Sequence, residues 1–534
     1  MKKKILIIFC TFIIVMFGLN LRYYQLASGI YAEKASATQG KYTLIVNNDR
    51  AMIYDRNLMP LVNQNKRYIC AVVPSASNIP KLSALLPADK QPSLLKNAEN
   101  GKPFLLVLDQ VPPDIDGVTL IEQSIRYQSP NAWAHLTGYL NGGNGVFGIE
   151  KAFDKLLSGG KTEITYDVAA NGTALLGTLP ELKIEDESSI DGIILSIDSQ
   201  MQTICAEIAE RMMWSGAAVL MNIKTGEILA CVSVPSFAPD KISKSLENSR
   251  DPLINRSLLP YSVGSTFKLL TAVNAIEAGG DFADFKYTCT GSINVRGQIF
   301  NCHKKDGHGA LDMKQAVVES CNPYFIKLAQ ELGKETLLNM AKSLGFGTET
   351  ELAPGFKSKS GTLPSLSLLD RPAELANFSF GQGVLTATPL QICMMTSAIA
   401  NGGILCDPIL ISGIRDKDGK LQSPAVFTQK RVFSEQTASI LRQHMTDVVM
   451  NRYAKVLAPQ YTTAGGKSAT AQTGVINDGN EKMQTWFTGF FPADTPEYAL
   501  TVLCEDGISG TVSAGPVFKE IADAITQMLS AEKK

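Results

Sequence analysis

Histidine is scarce in this chain, with four in 534 residues: His135, His303, His308 and His444. None belongs to an H-E-x-x-H pair, so a zincin-type metalloprotease lacks its ligands. No G-x-S-x-G elbow occurs, which removes the α/β-hydrolase arrangement of nucleophile and oxyanion hole. No C-x-x-C marks a redox or zinc-ribbon centre. An excess of positive charge is also missing: 50 Lys and Arg face 51 Asp and Glu, a net charge of -1. Nucleic-acid binding needs a basic field, so no nucleic-acid partner is expected. No internal repeat of useful period is visible. What is present, 45% hydrophobic and 19% charged residues, describes a folded protein, and the length calls for two or more domains.

The N-terminus carries the one long apolar run. Lys2, Lys3 and Lys4 precede Ile5 to Leu21, about 17 residues and just long enough to cross a bilayer with help from its flanks. The cationic side stays in the cytoplasm, which puts everything after Arg22 outside. A cleaved signal peptide is the alternative, with Ala35-Ser36-Ala37 resembling a cleavage site. That site lies far beyond the apolar run, so an uncleaved single-pass anchor is expected. The chain has ten cysteines at irregular spacings. Cys289 and Cys302, which flank a short segment, are the pair expected if a disulfide forms; ten unpaired thiols is the other reading.

Residues 23–190 alternate short apolar runs with Pro and Gly breaks and hold no grouping of nucleophile and base, as expected of a structural or interaction domain. Near residue 190 the texture changes. "GIILSIDSQMQTICAEIAERMM" predicts a strand and then an amphipathic helix with Ile204, Ile208 and Met212 on one face. "GAAVLMNIKTGEILACVSV" predicts a hairpin turning at Lys224-Thr225-Gly226. Helices dominate roughly residues 265 to 345, strands follow around Trp486 and Val502, and a helix from Pro516 to Leu529 buries Val517, Ile521, Ile525 and Met528. Strands at both ends with helices between them predict an α+β domain, an antiparallel sheet flanked by helices with a helical lobe, over residues 191–534.

Three short motifs carry chemistry. Ser265-Thr266-Phe267-Lys268 opens an apolar-periodic helix that Gly279-Gly280 ends, so the hydroxyl and the ammonium share a face. A serine attacks only when a base takes its proton, and lysine serves only if burial or a second cation lowers its pKa. Ser158-Gly159-Gly160-Lys161 has the same spelling, but two glycines argue against a rigid helical placement. Ser320-Cys321-Asn322 precedes Pro323 and a further helix, so its polar side chains project from a fixed turn, though a plain helix cap reads the same way. Ser292-Ile293-Asn294 falls in a strand-like segment and is set aside. Lys467-Ser468-Ala469-Thr470 leads small residues that suit a strand kept open for an extended substrate; a flexible loop is the bland alternative. The literal Lys-Thr-Gly at 224–226 lies upstream of Ser265 and inside a hairpin. Gly143 to Gly148 is a formal G-x-G-x-x-G with no βαβ unit around it, so dinucleotide binding is excluded.

The order S-x-x-K, S-x-N, K-[ST]-small resembles the penicillin-binding proteins and serine β-lactamases. "RAMIYDRN", "GVFGIEKAFDKLLSG", "FSFGQGVLTATPLQI" and "QTWFTGFFP" are similar to class B penicillin-binding proteins, and the resemblance covers nearly the whole chain. It implies a peptidoglycan D,D-transpeptidase with an anchor at 1–22, an elongated β-rich pedestal at 23–190 and a penicillin-binding domain at 191–534. The implied site has Ser265 as nucleophile, Lys268 as general base, and Ser320 and Lys467 completing the proton network. Asn322 holds the substrate amide, Ser468 and Thr470 grip the terminal carboxylate, and the backbone N–H groups of Ser265 and Thr470 form the oxyanion hole. Gln382 lines the cleft. No metal or organic cofactor is implied. The implied partners are peptidoglycan stem peptides, β-lactams, the membrane and a polytopic peptidoglycan glycosyltransferase. Two positions depart from the family: Ala469 replaces a usual glycine on a substrate-facing strand, where its methyl is expected either to narrow the cleft or to alter β-lactam affinity, with activity retained, and Ala51 follows Arg50 where glycine is usual. A D,D-carboxypeptidase or β-lactamase on the same scaffold, a β-lactam sensor and a non-catalytic scaffold are the competing readings.

Overall fold

The computed structural model describes residues 2–28, 40–169, 171–175, 179–185, 188–477 and 480–532. The Ala35-Ser36-Ala37 segment and Asp478-Gly479 lie outside them. Helix α1 (Lys2–Ser28) contains the single segment among the described residues that is long and apolar enough to span a membrane, Leu6–Gln25.

The chain clusters into two compact units that interleave along the sequence: Met1–Arg50, Asn63–Arg126 and Ser158–Ser188 in one; Ala51–Val62, Tyr127–Leu157 and Ser189–Lys534 in the other. A single boundary at residue 190 therefore does not describe the clustering, because 51–62 and 127–157 group with the long C-terminal segment. These two segments look like loops in sequence, and what joins them to that segment is tertiary. Asp55 is fully buried and accepts from the amides of Asn57 and Met59 and from Ser199. Buried Gln202 donates to the carbonyl of Ala132.

The first unit is β-rich. Strands β1 (Lys41–Asn47), β2 (Asn65–Val72), β3 (Phe104–Leu108), β4 (Val118–Ile125), β5 (Lys161–Asp167) and β6 (Glu181–Glu185) form two antiparallel sheets, in the orders β1-β5-β6 and β3-β2-β4. Val46, Ile164 and Tyr166 from one sheet and Ile69 and Ala71 from the other share a small core.

In the second unit, β7 (Ile190–Leu195) leads into α2 (Ser199–Met212), which Asp198 caps by accepting from the amides of Gln200 and Met201. Its buried face is Met201, Cys205, Ile208 and Ala209; Met212, expected inside, is exposed. Next come β8 (Gly216–Asn222) and β9 (Ile228–Val234), joined through the turn at Lys224-Thr225-Gly226, where Gly226 has φ +74°. The helical lobe contains α3 (Lys268–Ala278), α4 (Met313–Glu319) and α5 (Asn322–Leu332). Helix α6 (Pro389–Ala400) is buried all round, and α7 (Glu435–Asp447) precedes the last strands, β11 (Gly465–Asn477), β12 (Asn480–Phe491) and β13 (Tyr498–Glu505). Helix α8 (Gly515–Glu532) closes the chain.

The central sheet is antiparallel throughout, in the order β9-β8-β13-β12-β11. (β10 is Ile411–Asp416, which pairs with β7 in a separate sheet.) Helices α2 and α8 cover one face of the central sheet, with Val517, Phe518, Ile521 and Ile525 packed among Phe487, Phe491 and Val502. The other face meets α6 and the lobe. An antiparallel sheet flanked by helices with a helical lobe is the architecture the sequence predicts for this region.

Candidate active site

The three motifs come from distant parts of the chain and meet at the edge strand β11. Ser265 lies in a 3-10 turn, Gly264–Phe267, just before α3, and is partly buried. Lys268 is the first residue of α3. Ser320 caps the end of α4 in a left-handed conformation, φ 55° and ψ 41°. A side chain pays roughly 1–2 kcal/mol for that geometry, and here it turns Ser320 and Asn322 toward the lysines.

The Lys268 ammonium donates to Asn322 Oδ1 at 2.6 Å, to the Ser320 carbonyl at 2.7 Å and to Ser320 Oγ at 3.2 Å. From the strand side, Lys467 Nζ donates to the same Ser320 Oγ at 3.0 Å and to the Ser468 carbonyl at 2.9 Å. Both lysines are 1% exposed. Burial pushes Lys268 down to about 7. Burial, and then the Lys268 charge, hold Lys467 well below the usual lysine range. Burial and the proximity of two ammonium groups on one hydroxyl both disfavour double protonation. That favours a neutral amine where a proton must be taken from an alcohol. Ser265 Oγ itself makes no hydrogen bond among the described residues. The Asn322 amide is engaged on both sides, since its Nδ2 donates to the Asn301 carbonyl at 3.1 Å.

The nucleophile turn lies flat against β11. Gly264 has φ +63°, its N–H donates to the Gly381 carbonyl at 2.8 Å, and a Cβ there would stand 3.1 Å from Ala471 Cβ and 3.3 Å from Ala469 Cβ and the Thr470 carbonyl. Only glycine combines that conformation with that proximity. Gly381 belongs to the "GQG" stretch, whose Gln382 is partly buried beside it.

Along β11, Lys467, Ala469 and Ala471 are buried, whereas Ser468 is half-buried and Thr470 exposed. The strand alternation therefore puts Ser468 and Thr470 on the opposite side from the lysine. Thr470 Oγ1 accepts from the Gly510 amide at 3.3 Å. Ala469 corrects an expectation. Its methyl is 3% exposed and packs in the core with Trp486 and Phe267, so it does not narrow the cleft. Ala469→Gly is expected to cost about 1–2 kcal/mol of stability, through the lost methyl and the freer backbone. β-Lactam acylation should stay within about threefold of wild type. Denaturation curves and acylation rates check both.

The decoys sit elsewhere. Lys224 is exposed at the hairpin turn, and Thr225 Oγ1 donates to Glu227, which pairs with Arg56 at 3.1 Å. Ser292-Ile293-Asn294 lies in a two-stranded hairpin.

All ten cysteines are free thiols, so Cys289 and Cys302 are not joined. Instead the ligand atoms of Cys289, Cys302, His308 and Cys321 lie within 4.8 Å of one another, directly behind the Ser320–Asn322 turn. Three thiols and an imidazole are a donor set that could hold a tetrahedral Zn2+. Sequence reasoning missed this grouping because its members are 6 to 13 residues apart and follow no C-x-x-C rule. Within the group, hydrogen bonding from Cys321 pulls the Cys302 thiol well down, and the same contact pushes Cys321 up.

Residues 216–523 match the model of the penicillin binding protein transpeptidase domain. Stage V sporulation protein D of Bacillus subtilis is 29% identical over 99% of this chain and 86% of its own length. The peptidoglycan D,D-transpeptidase MrdA of Acinetobacter baumannii is 29% identical over 76% of this chain and 67% of its own. Among solved structures, penicillin-binding protein A from Mycobacterium tuberculosis, as a ceftriaxone acyl-enzyme complex, has the same fold, with a TM-score of 0.66 at 21% identity over 90% of this chain and 98% of that one.

Proposed function

The chain belongs to the penicillin-binding protein transpeptidase family, and on that premise we propose that it is a membrane-anchored peptidoglycan D,D-transpeptidase acting through a Ser265 acyl-enzyme. The observation that carries the assignment of roles is the convergence of two buried lysines on Ser320 Oγ beside the Ser265 turn.

The reaction follows from that arrangement. Neutral Lys268 takes the proton of Ser265 as Oγ attacks the carbonyl between two D-alanines of a stem peptide. The negative charge that develops on the carbonyl oxygen is held by the N–H groups of Ser265 and Thr470, each worth roughly 3 kcal/mol in such sites. As the tetrahedral adduct collapses, the C–N bond breaks. The departing D-alanine amine receives a proton through Ser320, which Lys268 and Lys467 both contact. Asn322 orients the substrate amide; Ser468 and Thr470 bind the terminal carboxylate, with the Lys467 charge behind them. An amine from a second stem then attacks the ester carbonyl, gives up a proton to the same network and releases Ser265, leaving a cross-link. A β-lactam presents a similar carbonyl and carboxylate, and its opened ring stays on Ser265.

Helix α1 anchors the chain as a single span with the catalytic unit outside the membrane, where the cross-linking substrate is. The anchor and the β-rich unit are surfaces for a polytopic peptidoglycan glycosyltransferase, which would supply the strands to be cross-linked. The deciding measurement is product analysis with a D-Ala-D-Ala stem peptide, with and without an amine acceptor. Acceptor-dependent dimer is the expected product. Free tetrapeptide alone, in the presence of acceptor, would replace transfer by hydrolysis.

A further inference from the structure

Side chains of the central sheet reach across to the segment that leads into the nucleophile turn. Gln484 Oε1, on β12, accepts from the main-chain N–H of Ser262 at 2.7 Å. Trp486 Nε1–H, two residues on, donates to the carbonyl of the same Ser262 at 2.8 Å. Glu505, opposite Gln484 on β13, accepts from the Tyr261 hydroxyl at 2.9 Å and from Arg256 Nε at 2.9 Å. Arg256 is 5% exposed and also donates from Nη1 to the carbonyl of Asp251 and from Nη2 to that of Arg250. A guanidinium that deeply buried keeps its charge, so it needs the Glu505 carboxylate. The Tyr261 ring also meets the Trp486 indole edge-on, with centroids 6.3 Å apart.

The same β12 residues face the other way in register. Trp486 is directly opposite Ala469 and Gln484 directly opposite Ala471, the two neighbours of Thr470 on β11. Ser262 is three residues ahead of Ser265. The two backbone donors assigned to the oxyanion hole therefore lie on either side of one clamp: one is three residues beyond Ser262, which Gln484 and Trp486 hold by its N–H and its carbonyl, and the other is on the strand paired to them. Such donors work only when held to within about half an ångström of the productive position.

Resting on the transpeptidase reading above, we propose that Gln484 and Trp486, braced by Glu505 through Tyr261 and Arg256, are positioning residues that set the spacing between the Ser265 and Thr470 N–H groups.

The test uses the full chain in detergent and a fluorescent penicillin, with rapid kinetics separating the acylation rate constant from the affinity of the complex that precedes it. Gln484→Met keeps the bulk and Trp486→Phe keeps an aromatic ring, though a smaller one, at a fully buried position; each removes one hydrogen bond. Each is expected to lower the acylation rate constant about 10- to 100-fold, since a misplacement of about 1 Å costs on the order of 10²-fold. Pre-acylation affinity should change by less than about threefold. Because both side chains hold one residue, Ser262, the double variant should lose less than the product of the two single losses. Trp214→Phe, at an indole 68% exposed, should match wild type. Folded variants that acylate at the wild-type rate overturn the clamp, as does a loss confined to affinity. If either variant fails to fold, Tyr261→Phe removes only a hydroxyl from the same brace and is expected to slow acylation about 3- to 10-fold at unchanged affinity; no slowing would equally overturn it. Wild-type chain that takes no label overturns the transpeptidase reading itself, and the clamp with it.

Discussion

Ser265→Ala is expected to abolish covalent labelling by a fluorescent penicillin altogether. The reason is geometric. Among the groups that converge at β11, the two lysines are buried and spent on Ser320 and Asn322, and Ser320 Oγ already accepts from both of them. Of the two hydroxyls in the S-x-x-K motif, Thr266 is fully buried and donates to the Val263 carbonyl, whereas Ser265 is partly accessible just before α3. Removing the nucleophile of a serine acyl-transfer site costs on the order of 10⁶ in rate even when the rest of the machinery is intact. Transpeptidation should therefore fall below detection while the melting temperature stays close to that of wild type, because the lost hydroxyl makes no hydrogen bond among the described residues. Intact-mass measurement after β-lactam exposure gives the cleanest readout: one adduct on wild type, none on the variant. An adduct on Ser265→Ala would move the nucleophile elsewhere and undo the mechanism.

The second large effect concerns Lys268. Burial disfavours its charged form and brings it down to about 7. The base must be neutral to take a proton, so below about pH 7 the folded chain holds Lys268 protonated and acylation is slow. Above it, acylation is fast. The acylation rate should accordingly rise between about pH 6 and 8 with a midpoint near 7, where an ordinary lysine would give a midpoint near 10.4. Lys268→Met fills the same buried space without an amine. It is expected to lower acylation on the order of 10²- to 10⁴-fold and to remove the rise near pH 7. A flat wild-type profile across this range, or an undiminished Lys268→Met, would take the base role away from this residue.

How far the sequence carries depends on whether a feature is local. The spelling and order of the motifs at Ser265, Ser320 and Lys467 are legible because each must sit on a defined local structure: a turn opening a helix, a turn between helices, a strand of small residues. Position separated Lys467 from the better-spelled Lys224, which lies at a hairpin turn. The buried face of α2, Met201–Cys205–Ile208, lies one ridge from the predicted Ile204–Ile208–Met212, since periodicity alone does not say which of two adjacent apolar ridges meets the sheet. Ala469 is predicted to face substrate yet is buried, because small residues mark a strand without marking which of its sides is the inner one.

By itself the sequence determined the anchor-type apolar segment, the α+β domain and the cast of side chains that acid–base chemistry at a serine needs. Its ordered motifs also bring in the family. Only the tertiary structure decided how those side chains relate. It placed two lysines on one hydroxyl, pressed Gly264 against β11, and drew Cys289, Cys302, His308 and Cys321 into one cluster. It also revealed the Gln484–Trp486 grip on Ser262. The physical reason is that these are contacts between segments some 50 to 220 residues apart, or between irregular loops, where no periodicity records the partner. Burial does the rest: a lysine's pKa is a property of its surroundings, and composition cannot state which two lysines the fold dries out.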